Sequence, residues 1–280
     1  MSLQVAGCYG AHAMHAPVRQ PEPIPSELLL LAYRSGIFPM ADHRDDPEVY
    51  WVEPKERAIF PLDGFRLSRS LAKTLRRDRF RVSCDEAFAA VIAECAAPRE
   101  EHAESWISRR IEESYSALHA RGHAHSIECW LPAPDGGEML AGGLYGVTFD
   151  RVFCGESMFT RANNASKVAL AWLVAALRRA GYALLDCQFM TEHLASLGAT
   201  PLTQAHYLRL LKEARGEPAR TLPQAVTSFS ASGVALGDGV AAGGAGRGGR
   251  GAGVGAAPSP SVGDASSPGK LIVQSLTQTS

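Results

Sequence analysis

From His125 to Phe189 the order of the segments constrains the fold more than any other feature of the chain. His125 to Leu131 reads as a strand, and Pro134-Asp135-Gly136-Gly137 is a turn. Met139 to Thr148 returns as a second strand, and Asp150-Arg151 turns into a third at Val152-Phe153-Cys154. A long apolar helix starts at Asn164 or Ser166 and ends before Gly181, and Tyr182 to Phe189 then reads as a buried strand. A three-strand meander, a helix and a further strand suit a mixed, largely antiparallel sheet with helices packed on it, an α+β fold.

The rest of the chain organises around that unit. Leu67, Leu71 and Leu75 mark an amphipathic helix, and Ser83-x-x-Glu86 reads as a capping box before a helix carrying Phe88, Val91, Ile92 and Cys95. A third helix carries Ile107, Ile111, Tyr115 and Leu118 and stops at Gly122. Upstream, Ser26 starts a short helix through Leu28 to Tyr33 that ends near Gly36, and Val49–Val52 and Ala58–Phe60 read as strands around Pro54. This divides the chain into a small N-terminal unit over residues 1–64, poorly ordered in its first ~25, a larger unit over 65–220, and a tail over 221–280. The tail is dense in Gly, Ala, Ser and Pro from Gly233 to Gly269, which predicts disorder, although Leu271-Ile272-Val273 can dock weakly. Arg247 and Arg250 in it are too few to outweigh a plain linker.

A net charge of -1 excludes a uniformly basic nucleic-acid binder but leaves room for a local basic face. Arg66, Arg69, Lys73, Arg76 and Arg77 fall within an arc of roughly 100° on the first helix of the larger unit. Leu67, Leu71 and Leu75 lie on another side, and only Asp78 opposes these cations, so the pattern points to a phosphate-binding face more than to a solvated one. The cysteines form no C-x-x-C pair and read as reduced thiols. With no apolar run of spanning length and no signal-peptide pattern, the expected location is the cytoplasm, with no membrane association.

Three places carry candidate chemistry. In Leu184-Leu185-Asp186-Cys187-Gln188-Phe189, alternation puts Asp186 and Gln188 on one face of an apolar strand. A buried Asp is costly unless paired. The pair is either a polar lock or a device for proton handling and substrate positioning. In Cys154-Gly155-Glu156-Ser157-Met158-Phe159, Glu156 follows a glycine that permits close approach at a strand-to-helix turn; the plain alternative is a capping carboxylate. Ser157, Cys154 and Cys187 lack an activating pattern, and G-x-S-x-G is absent, so a covalent mechanism is disfavoured. His123, His125 and His193 have no zinc-like spacing, so no metal is expected, and Gly142, Gly143 and Gly146 read as close-packing positions.

At these residues the chain resembles the leucyl/phenylalanyl-tRNA–protein transferase family. Phe153 to Phe159 followed by Ala165-Ser166-Lys167 is similar to the family signature. So are Gly122 to Glu128, Tyr33 to Pro39, Ser105-Trp106-Ile107, Leu185 to Gln188 and His193 to Gly198, in family order from Pro25 to about Ala214. Tyr50-Trp51 stands where the family commonly has two tryptophans.

The resemblance implies an acetyltransferase-like (GNAT-like) domain after a small N-terminal domain. It implies transfer of Leu or Phe, and sometimes Met, from aminoacyl-tRNA to N-terminal Arg or Lys of acceptor proteins, which marks them for N-end-rule degradation. The aminoacyl ester is already activated, so no cofactor is implied, and a monomer is expected. Asp186, Gln188 and Glu156 are the implied catalytic residues: Gln188, oriented by Asp186, would contact the amine, and Glu156 would attract the cationic acceptor. Trp106, Met158, Leu170, Leu173, Leu177 and Leu185 would line the side-chain pocket, Trp51 would stack on the terminal adenine, and the basic helix would grip the tRNA. Three rivals remain at this level. A coenzyme-A-dependent acetyltransferase needs a glycine-rich pyrophosphate loop where Glu156 stands, and a non-catalytic RNA-binding protein leaves Asp186 and Gln188 unexplained. A related transferase would put Leu on N-terminal Asp or Glu, but Glu156 and Asp186 favour a cationic acceptor.

Overall fold

The computed structural model describes residues 22–98, 104–234 and 267–278. The expected disorder of the first residues and of the glycine-rich stretch over 235–266 lies outside the described residues, as do Cys8, Arg247 and Arg250. The chain order begins with α1 (Ser26–Arg34), β1 (Phe38–Met40), β2 (Tyr50–Val52), β3 (Glu56–Phe60) and α2 (Arg69–Arg76). It continues with β4 (Arg81–Cys84), α3 (Phe88–Ala96), α4 (Arg109–Ala120), β5 (Ala124–Pro132), β6 (Glu138–Phe149) and β7 (Val152–Thr160). Then come α5 (Ala165–Ala180), β8 (Leu184–Gln188), α6 (Glu192–Leu197), β9 (Thr200–Thr203), α7 (Gln204–Glu213), α8 (Leu222–Val234) and α9 (Pro268–Thr277).

The main sheet has seven strands in the order β4-β5-β6-β7-β8-β3-β9, antiparallel except where β7 runs parallel to β8. The α+β expectation holds. The division at Gly64 does not separate the sheet, because β3 lies inside it, paired with β8 on one side and β9 on the other. Among the described residues, only β1 and β2 form a ribbon of their own. Glycines in β6 mark close packing as expected: a Cβ on Gly142 would sit 2.6 Å from the Cβ of Ala165. The capping box does not form. Ser83 is a buried strand residue bonded to Glu128, Glu86 pairs with Arg81, and Glu128 instead reaches Ala87 N at the start of α3 from across the sheet.

The tail is the main correction. α5 is apolar on every side and nearly all of it is buried, so it needs cover beyond the sheet. α8 and α9 provide that cover: Leu222, Ala225, Val226 and Phe229 of one, and Ile272, Val273 and Leu276 of the other, are buried in the cluster that contains α5. Gly269 at the start of α9 donates its N–H to Asp78 Oδ1 just past α2, and the Arg178 guanidinium binds the carbonyls of Ser275 and Gln278. Residues 222–234 and 267–278 are therefore part of the fold. Truncation after Arg220 exposes the outer face of α5, and each lost buried apolar side chain is worth about 1.5–3 kcal/mol. We expect such a chain to melt at least ~5 °C lower in a thermal scan; an unchanged midpoint would show that neither helix supports the core.

Candidate active site

The parallel pair β7/β8 creates the site by coming apart. The pairing holds from Val152 with Leu184 to Cys154 with Asp186, and then β8 continues only against β3. A cavity of about 340 Å³ opens in the fork, walled by Gly155, Glu156 and Met158 from β7 and by Leu185, Cys187 and Gln188 from β8. Leu170 and Leu173 of α5 enter from one side of the sheet, while Phe38, Met40 and Trp106 enter from the other. The cavity is mainly apolar and has room for a leucine or phenylalanine side chain.

Local irregularities aim the two polar groups into it. Across β6 and β7, Gly146 faces Gly155 and Tyr145 faces Ser157, so Glu156 is the extra residue of a β-bulge. Glu156 is therefore mid-strand, not at the strand-to-helix turn the sequence suggested. A bulge re-aims its side chain, and Gly146 fits because a Cβ there would collide with the Cys154 carbonyl. Gln188 has φ of +60°, a left-handed conformation that costs a non-glycine residue unless something holds it. Asp186 Oδ1 holds it, accepting from Gln188 N at 2.8 Å.

Asp186 itself is fully buried and does not line the cavity. Its Oδ2 takes Tyr207 Oη at 2.7 Å and Arg57 Nη2 at 2.9 Å, with the Cys154 thiol at 3.6 Å. Arg57 is equally buried, stacked over the Phe38 ring at 5.0 Å and the Tyr207 ring at 4.4 Å. Burial is the largest single influence and lowers the Arg57 pKa, but the Asp186 carboxylate, Tyr207 and Cys154 together outweigh it and the net shift is upward. The Asp186 carboxylate therefore pairs with Arg57 and holds Gln188 through its backbone N–H.

Glu156 has no such counter-ion among the described residues. Tyr33 Oη donates to Oε1 at 2.7 Å, Gln188 Nε2 to Oε1 at 2.8 Å and Tyr115 Oη to Oε2 at 3.2 Å, and the two phenols are 2.6 Å apart. Burial raises its pKa more than these donors lower it, leaving the carboxyl at about 7. The predicted pair Glu156 and Gln188 is brought together, side chain to side chain.

Of the expected pocket residues, Trp106, Met158, Leu170, Leu173 and Leu185 line the cavity. Leu177 does not: it is one helical turn beyond Leu173 and lies in the core. Trp51 also stands outside. Cross-strand partners share a face, so Trp51 goes with Pro39, and Tyr50 goes with the cavity residue Met40. Both aromatic rings are exposed. Arg66, Arg69, Lys73, Arg76 and Arg77 are all exposed on or beside α2 while Leu71 and Leu75 are buried, as their spacing predicts. The sequence reading missed Arg57, Tyr33, Tyr115 and Tyr207. An arginine inside the apolar strand Arg57–Phe60 was the available signal, by the same argument that singled out Asp186.

One grouping capable of holding a metal exists among the described residues, Cys84, Asp85 and His125, with ligand atoms within 4.8 Å. The Asp85 oxygens there already accept from His125 Nδ1 and Ser126 N, and burial pushes the Cys84 thiol up, which suits a lock between β4 and β5.

Residues 59–212 match the family model described as leucyl/phenylalanyl-tRNA protein transferase, and residues 24–55 match the model of its N-terminal domain. The chain belongs to this family of aminoacyltransferases. A protein of that name from Novosphingobium aromaticivorans is 60% identical over 267 residues, covering 93% of this chain and 98% of the relative. One from Rhizorhabdus wittichii is 58% identical over 193 residues, covering 69% of this chain and 76% of the relative. One from Zymomonas mobilis is 57% identical over 191 residues, covering 68% of this chain and 69% of the relative.

Replacing Asp186 by Ala leaves Arg57 charged, buried and unpaired, which costs about 3–5 kcal/mol. We expect urea denaturation to show a loss of that order, whereas Asp186→Ala with wild-type stability would show that Arg57 is solvated and that the clamp is not needed.

Proposed function

We propose that the protein moves Leu or Phe, and in some cases Met, from aminoacyl-tRNA to the α-amino group of proteins that begin with Arg or Lys, so marking them for N-end-rule degradation. The observation that carries this reading is the Glu156–Gln188 pair on the wall of a mainly apolar cavity. Leu170, Leu173, Leu185 and Met158 receive the aminoacyl side chain. Such a pocket rejects polar side chains by desolvation but separates hydrophobes of similar size poorly, which accounts for a mixed Leu, Phe and Met preference. The exposed Tyr50 and Trp51 offer stacking faces for the terminal adenine, with Tyr50 on the cavity side. The sheet is read as acetyltransferase-like, a mixed sheet whose one parallel pair opens to admit an acyl donor. The location is the cytoplasm, and the working form is a monomer. No described helix is long and apolar enough to cross a membrane.

The acceptor amine attacks the ester carbonyl, a C–N bond forms, and the ester C–O bond breaks to release the ribose hydroxyl. Gln188 gives its Nε2 to Glu156, which leaves Oε1 to accept from the incoming ammonium. Glu156 takes the amine proton, and the leaving ribose oxygen is protonated in turn. A free α-amino group has a pKa of about 7.7–8.0, so an acceptor carboxylate at about 7 is matched to it. Holding amine and ester together in the fork supplies the larger share of the acceleration.

Two measurements check this reading. Peptides beginning with Arg, Lys, Asp or Ala, offered with leucyl-tRNA or with acetyl-coenzyme A, should accept only leucine and only on Arg or Lys. Acetyl transfer, or an Asp acceptor, would refute it. The pH profile gives the second. Glu156 is protonated below about 7 and ionised above it, so kcat/KM should fall as pH drops through that value. Glu156→Gln should lower the rate by about 10²-fold or more and remove that limb. A limb unmoved in the variant would assign it to another group.

The basic face is proposed to hold the tRNA stem through its phosphates. Reversing Arg76 and Arg77 to Glu should weaken leucyl-tRNA and phenylalanyl-tRNA alike and flatten the salt dependence of binding. A loss confined to one aminoacyl-tRNA would contradict a phosphate contact.

A further inference from the structure

A second cavity, of about 830 Å³, adjoins the first. The two share Met158 and His193 in their walls. The second one differs in chemistry: Arg161, Lys167, Asn163 and Asn164 line it, from the end of β7 and the start of α5. Arg161 is exposed and pairs at 2.5 Å with Glu94 on the far wall. Lys167 has no ion pair among the described residues, and Lys167 together with burial pushes the His193 ring toward its neutral form, burial being the larger cause. The uncompensated charge in the cleft is therefore positive.

The local backbone works in the same direction. α5 has no acidic residue in its first turn, and Asn164, in the left-handed region at φ +72°, makes no side-chain cap. A lysine at the third helical position is unfavourable next to the helix's positive end. That arrangement gains only when an anion sits there. On its other side the cleft meets α2: Asn164 Nδ2 donates to Thr74 Oγ1 at 3.4 Å, and Thr74 lies between Lys73 and the Arg76–Arg77 pair. The acyl cavity thus shares a wall with the cationic cleft, and the cleft adjoins the basic helix.

We propose that this cleft, through Lys167 and Arg161, holds the phosphodiester backbone of the last nucleotides of the donor's single-stranded 3′ end. The proposal rests on aminoacyl-tRNA being the donor but not on any choice of acceptor. Every tRNA ends in the same CCA, so a phosphate cleft at this distance from the ester serves all donors equally. The acyl cavity then handles selection, and α2 handles the stem. A cationic acceptor residue fits poorly beside Lys167, so the acceptor peptide enters by another side of the fork.

The test uses binding alone and needs no acceptor. The full-length protein is titrated with amide-linked leucyl-adenosine, which has no phosphodiester, and with amide-linked leucyl-CCA trinucleotide, which has two. Wild type should bind the trinucleotide at least about tenfold more tightly than the nucleoside, since a charge-assisted phosphate contact is worth that much. That gain should shrink as salt rises. Lys167→Glu should erase most of the gain, and Lys167→Arg should keep it, which separates a charge effect from a packing defect in α5. The proposal is overturned if wild type gains nothing from the two phosphodiesters, or if Lys167→Glu retains the full gain. Failure of the Arg or Lys acceptor reading would leave these titrations unaffected.

Discussion

The buried ion pair between Asp186 and Arg57 is the contact on which the rest of the site depends. Two fully buried charges are expensive to desolvate, and their attraction repays that only with good geometry and further hydrogen bonds. Tyr207 and the Gln188 N–H supply those bonds to the carboxylate, and the Phe38 and Tyr207 rings cover the guanidinium. Arg57 comes from β3, Asp186 from β8 and Tyr207 from α7, so one carboxylate ties the middle of the sheet to a helix packed against it. The same carboxylate keeps Gln188 in a backbone conformation it would otherwise leave.

Given that clamp, the fork between β7 and β8 can be both open and rigid. The strands part after three paired positions, and the exposed backbone edges would be a liability in an ordinary sheet. Here the gap is lined by side chains from α5 on one side and from the N-terminal ribbon on the other. Glu156, turned inward by its bulge, meets the Gln188 amide across the gap. Two phenols provide its remaining donors, so a carboxyl with no counter-ion can stay buried and titrate near neutrality. Asp186 and Glu156 therefore differ in surroundings: one carboxylate is paired with Arg57, and the other is held by neutral donors alone among the described residues.

Much of this was legible in the sequence. The meander, helix and strand pointed to a mixed, largely antiparallel sheet, because Gly and Asp-Gly turns bound apolar runs of strand length. Asp186 in an apolar strand announced a paired carboxylate, and the basic spacing from Arg66 to Arg77 announced an exposed face. Three things were not legible. The pairing of β3 with β8 is a long-range contact that local periodicity does not encode. Positive φ at Gln188 and the bulge at Glu156 arise from neighbours rather than from residue type. α8 and α9 were hidden by the glycine-rich stretch between them, although Leu222, Ala225, Val226 and Phe229 carry helical spacing. The all-round apolar character of α5 was the stronger clue, since a helix buried on every side demands a layer beyond the sheet.

The central claim is that Asp186 acts only by placing Gln188. A double-mutant cycle on kcat/KM tests it most directly, with Asp186→Asn, Gln188→Ala and the pair compared in one assay. Residues that work as a unit are strongly non-additive. The account predicts that the double variant is no slower than the slower single variant. Losses that multiply across the cycle would contradict it, because Asp186 would then have a role in the reaction that does not pass through Gln188.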